Sequence, residues 1–218
     1  VTSAHPPAAL PLRERKKLRT RRELVDTALR LFTEQGFDAT TLDQLCEAVE
    51  VSKRTFFRTF ASKEDVAMAP LHDLWLLAAD RLADRDLAGR PLAAELEAVL
   101  VESLAAMPDD GWERRVLLSR RLAESTPSMD AHGLHFCHRT GTRIVADLHR
   151  RLDLDPADPR PRLAVDLAVA AWHHALASWT AQAGGHTRDT LAERLRAAFA
   201  ALPEALTFAA PARGTVPV

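Results

Sequence analysis

The stretch VSKRTFFRTFASKEDV, Val51–Val66, sets Lys53, Arg54 and Arg58 within a few residues of Phe56, Phe57 and Phe60. At the helical period, Phe56 and Phe60 share one face, while the three cations project from other faces. Ser52 is a suitable N-cap for such a helix. A basic pair at a helix start opposes the macrodipole, so helix stability alone does not account for Lys53 and Arg54. The pattern describes a short helix anchored to a small core by phenylalanine and presenting cations outward.

Working outward, a helix is predicted from about Arg13 to Gln35, with Leu18, Val25, Ala28, Leu29 and Phe32 at helical spacing on one face. Gly36 is placed to end it. Thr40 or Thr41 caps a short second helix reaching Val49, with Leu42, Leu45 and Val49 turned inward. A tight Glu50-Val51-Ser52 turn leads into the third helix, which ends at Phe60. Ser62 caps the next one, and Asp65 three residues on suggests a capping box. Three helices, the last two short and joined by a tight turn, form a helix-turn-helix pattern. Such a unit lays its second short helix in the DNA major groove, with that helix's N-terminal residues at the base edges. Between Arg13 and Arg30 eight basic residues face three acidic ones, in a chain of net charge −1. A localised cationic excess of this kind is the footprint of a phosphate-binding surface.

The rest of the chain reads as helices over about 63–83, 91–107, 111–126, 130–152, 160–183 and 188–208, separated by Gly- and Pro-bearing breaks. No strand pattern and no internal repeat emerges. The fold class is all-α. An arm over 1–12 is expected to be disordered, 13–62 to form the helix-turn-helix domain, 63–208 a larger helical domain, and 209–218 a frayed tail. Pro70, beyond the first turn of its helix, predicts a bend or break near Ala69. The segment LAVDLAVAAWHHALASWTAQA is apolar nearly all round and is expected to be buried. On the last helix Leu191, Leu195, Phe199 and Leu202 share a face.

The 218 residues, 47% apolar and 27% charged, suffice to fold and bury a core. No apolar run reaches membrane-spanning length, and no signal-type segment opens the sequence. Two isolated cysteines, Cys46 and Cys137, fit a reduced, cytoplasmic setting. No Gly-rich phosphate loop, GxSxG or HExxH stands in the chain, so no catalytic residue is assigned and no cofactor is expected. In HGLHFCH, His132, His135 and His138 follow one another at three-residue spacing. They drift over about 120° of helix surface and do not converge, so no metal site is expected.

The order of helix, Gly-Phe, Thr-Thr, short helix, VSKRTFFRTF and SKED, over about residues 18–66, resembles the TetR family of transcriptional regulators. The resemblance implies that Thr40 and Thr41 touch phosphate, that Lys53, Arg54 and Thr55 reach bases, and that Lys63 pairs with phosphate. It departs at Phe57, where the family usually has Tyr, and at Thr59, where it often has His. Phe57 cannot donate a hydrogen bond to phosphate, which leaves either a packing role for its ring or compensation by Arg58 or the basic arm. The helical remainder matches by architecture the family's ligand-binding and dimerisation domain. Met68, Leu71, His72, Trp75, Trp112, His135, Phe136, Trp172 and His173 are candidate linings for a small apolar or amphipathic effector; plain core is the competing role for them. Leu191, Leu195, Phe199 and Leu202 are candidates for the homodimer interface. The implied function is a ligand-responsive regulator, read as a repressor, that binds a palindromic double-stranded operator as a homodimer and involves no membrane. The alternatives are an architectural DNA binder without a ligand, or an enzyme.

Overall fold

The computed structural model describes residues 11–209. Most of the expected arm and tail therefore lies outside the described residues. Among those described, nine α-helices and no strand occur: α1 Leu12–Gln35, α2 Leu42–Ala48, α3 Lys53–Thr59, α4 Lys63–Ala83, α5 Leu92–Ala106, α6 Trp112–Ser125, α7 Pro127–Arg151, α8 Arg160–Thr180 and α9 Arg188–Thr207. Local chemistry accounts for the boundaries. Thr41 accepts from Gln44 N while the Gln44 side chain accepts from Thr41 N, a complete capping box. Ser52 caps α3 by accepting from Thr55 N, and Thr187 caps α9 in the same way. Pro127 opens α7 rather than breaking the chain ahead of it, because a proline in the first turn removes a donor that would be unsatisfied anyway. Helix α4 runs through Pro70 without a break.

The chain divides into two compact units. One comprises the chain through His72 and Arg114–His135; the other comprises Asp73–Glu113 and the chain from Phe136 onward. The boundary expected at 62/63 thus falls later, inside α4, and part of α6 and α7 joins the N-terminal unit.

In the first unit the second half of α1 buries Leu24, Val25, Ala28, Leu29 and Phe32. They share a core with Leu45, Phe56, Phe60 and Val66, together with Val116 and Met129. Leu18, expected on the inward face of α1, is exposed instead. Burial along α1 begins only at Leu24, so its first three turns stand clear of the core. Residue Glu50, in the turn between α2 and α3, has a positive φ of 55°.

In the second unit α5, α8 and α9 pack on one another. Helix α8 buries Val165, Ala168, Ala171, Trp172, Ala175, Leu176 and Trp179. Trp179 Nε1 donates to Thr187 O and Thr190 Oγ1, both at 3.1 Å, which fixes the α8–α9 connection. The opposite face of α8 is open, with Leu163, Ala170, His173 and His174 exposed, so this helix is not buried all round in a single chain.

Candidate nucleic-acid interface

Helix α3 is held from beneath and bare above. Phe56 and Phe60 are buried with ring centroids 5.9 Å apart, and the Arg21 guanidinium lies 4.5 Å from the centre of the Phe60 ring. Lys53, Arg54, Phe57 and Arg58 are exposed on the remaining surface. Thr55 and Thr59 are half-buried, and Thr59 Oγ1 donates back to Thr55 O at 3.1 Å. Phe57 is 56% exposed and meets Phe56 edge-on at 5.5 Å. Its ring thus packs in part, against Phe56, while its exposed portion stands among Lys53, Arg54 and Arg58.

Lys53 Nζ lies 2.7 Å from Asp43 Oδ1 on α2. An exposed pair of this kind contributes about 0–1 kcal/mol, whereas a bidentate base contact contributes about 1–3 kcal/mol of discrimination. The Asp43 pair is therefore weak enough to give way to a stronger partner. Sequence reading missed Asp43, whose only local signal was its place in the first turn of α2. Nearby, burial and then the Asp43 carboxylate push the Cys46 thiol up, with Lys53 opposing them, so Cys46 is a packed thiol rather than a reactive one.

The three expected phosphate contacts, Thr40, Thr41 and Lys63, are all engaged within the protein. The Thr40 side chain is fully buried, and its Oγ1 donates to Gly36 O at 2.8 Å. It closes the α1–α2 turn and faces away from solvent. Thr41 is exposed but works as the α2 cap, with Oγ1 3.0 Å from Gln44 Oε1. The Lys63 ammonium donates to Phe37 O at 2.7 Å and to Thr40 O at 2.8 Å, and lies 4.6 Å from the centre of the Phe37 ring. Two of its three donors thus hold the turn that leads into α2. Arg13, Arg15, Lys16, Lys17 and Arg19 add exposed cations around the uncovered part of α1, with Lys17 paired to Glu14 and Arg19 to Glu23.

The residues put forward for an effector do not share one surrounding. In the first unit Met68, Leu71 and His72 are buried and His135 is exposed. In the second, Trp75, Trp112 and Trp172 are buried, with Trp75 and Trp172 edge-to-face at 6.0 Å. Phe136 is half-buried and His173 exposed. Of the four residues expected at a dimer interface, Leu191, Leu195 and Phe199 are buried within the single chain. They face its own α5 and α8 because α9 turns its larger side chains toward them. Leu202 alone reaches an open depression of about 370 Å³ between α8 and α9, floored by alanines and edged by His174, Ser178 and Arg194.

The histidines of α7 behave differently from one another. His135 and His138 are exposed. His132 turns toward α4, where its Nε2 lies 3.8 Å from Asp65 Oδ1. His72 Nδ1 lies 3.5 Å from the same oxygen, and the two imidazoles sit 5.5 Å apart. One ligand-type atom from each of Asp65, His72 and His132 falls within 4.8 Å of the others. The three histidines of the HGLHFCH run do not converge on one another; His132 alone meets other ligand-type groups, and these come from α4.

A sequence profile for bacterial regulatory proteins of the tetR family matches residues 24–69, the stretch that builds α1 to α4 of this interface. The HTH-type transcriptional regulator TcmR of Streptomyces glaucescens is 37% identical over 205 residues, covering 86% of this chain and 83% of that protein. The negative transcriptional regulator IcaR of Staphylococcus aureus is 36% identical over 44 residues, 20% of this chain and 24% of its own length. A crystal structure assigned to the TetR-family regulators, from Syntrophomonas wolfei, superposes with a TM-score of 0.55 at 18% identity, covering 85% of this chain and 95% of that one, and shares the fold. With a capped, phenylalanine-anchored third helix and a relative at that identity over 86% of the chain, the chain belongs to the TetR family of transcriptional regulators.

Proposed function

We propose that the protein represses transcription by binding a palindromic DNA operator as a homodimer, and that a small apolar or amphipathic effector releases it. The observation that carries the DNA reading is the solvent face of α3, where Lys53, Arg54, Phe57 and Arg58 stand exposed on a helix fixed at both ends. A rigid helix loses little further freedom on docking, so its side chains can be spent on base edges and backbone. The exposed cations at the start of α1 support added phosphate contacts. That IcaR is a negative regulator favours repression over activation.

Dimerisation is supported by the open α8–α9 face. Its alanines let a second pair of helices approach closely, and Leu163 at 57% exposure and Leu202 are apolar groups a partner would cover. A dimer presents two recognition helices about 34 Å apart, which matches two half-sites. Release then follows from differential affinity: effector favours a state in which that spacing no longer fits the operator.

The test is binding-site selection from random duplexes, followed by anisotropy titration at physiological salt. The reading expects an inverted repeat, bound by two chains and preferred over a scrambled duplex by at least about 1000-fold. Equal affinity for selected and scrambled duplexes would overturn it.

A further inference from the structure

We propose that Asp65, His72 and His132 form a binding site for one divalent transition-metal ion of the zinc class. Asp65 and His72 lie two turns apart on one face of α4, and His132 reaches them from α7. Their ligand atoms stand 3.5 Å and 3.8 Å apart along two edges, and all lie within 4.8 Å. Ligands about 2.0–2.1 Å from a tetrahedral zinc stand about 3.4 Å from one another. Two edges are already near that spacing. The third would close by a side-chain movement of His132, whose side chain is 29% exposed. Two imidazoles and a carboxylate suit zinc, nickel, cobalt or copper rather than magnesium or calcium. Three protein ligands leave a coordination position for water.

The surroundings are those of a built site. Asp65 Oδ2 accepts from Ala61 N at 2.8 Å, which holds the carboxylate so that Oδ1 faces the histidines. Gly133 lets α7 approach α4 closely: a Cβ there would meet Met68 Cε at 3.1 Å. A bound ion would tie the first and third turns of α4 to α7. Through Ala61 it would also bear on the end of the recognition helix.

The experiment titrates cobalt(II) into the untagged, EDTA-treated full chain and follows the visible d–d bands. One equivalent per chain is expected, with band intensity of a four- or five-coordinate ion and displacement by zinc. His132→Ala should weaken cobalt binding by at least about 100-fold, since even loss of an outer-sphere partner costs 10–100-fold. Asp65→Asn should weaken it as well, while His138→Ala should leave it unchanged. Melting curves of each variant without metal separate ligand loss from misfolding. Absence of d–d bands in the wild-type chain overturns the proposal, and so does cobalt binding that His132→Ala leaves intact in a folded protein. Operator affinity plays no part in these readouts, so the site and the regulatory reading fail separately.

Discussion

Replacing Lys63 by methionine keeps the aliphatic stem and removes the ammonium. In the structure that ammonium donates at 2.7 Å to Phe37 O and at 2.8 Å to Thr40 O, over the Phe37 ring. Hydrogen bonds to a charged partner contribute about 1.5–3 kcal/mol each. Lys63 is half-buried, so water regains part of that on its removal, and a net loss of about 2–4 kcal/mol follows. For a chain of this size each kcal/mol shifts the melting temperature by about 2–4 °C, so a drop of about 4–16 °C is expected. The assay pairs a thermal melt with operator titrations at several salt concentrations below the variant's transition. A lysine engaged on two carbonyls predicts the drop in melting temperature with the slope of log affinity against log salt unchanged. A lysine held chiefly for DNA predicts an unshifted melt and a slope smaller by about 0.9. The second pattern would refute the structural role assigned to Lys63 here.

Asp43→Asn should tighten binding to all duplexes several-fold, because it frees Lys53 from a pair 2.7 Å long and removes an anion from the DNA-facing surface; unchanged affinity in anisotropy titrations would mean the pair is already broken in solution. Phe57→Tyr should tighten operator binding by about 0.5–1.5 kcal/mol, since the ring is exposed and a hydroxyl there can reach phosphate; titration showing weaker binding would place the ring elsewhere in the complex. Leu195→Glu should unfold the second unit rather than merely separate dimers, because it puts a charge at a fully buried position; a cooperative, near-wild-type melt would contradict that. Ala201→Arg, in the open α8–α9 depression, should instead give a folded monomer by sedimentation, and a persisting dimer would move the interface off this face.

The helices themselves, and the helix-turn-helix, were set by chemistry that acts within a few residues. The apolar spacing along α1, the capping hydroxyls of Thr41 and Ser52, and most of the glycine and proline breaks each act locally, and the structure follows them except at Leu18, Pro70 and Pro127. What a side chain does once helices meet was decided only by tertiary packing. Thr40 and Thr41 are adjacent and chemically alike, yet one hydroxyl is buried against the end of α1 and the other caps α2 in solvent. Leu195 and Ala201 share the last helix, and its periodicity gives two usable faces. Only the positions of α5 and α8 direct the leucines inward and leave the alanines on the open α8–α9 surface. His132 is one of three evenly spaced histidines, and its company with Asp65 and His72 depends on α7 crossing α4 beside Gly133. Spacing along one helix fixes which residues diverge from each other; which residues converge from separate helices is fixed by how those helices pack.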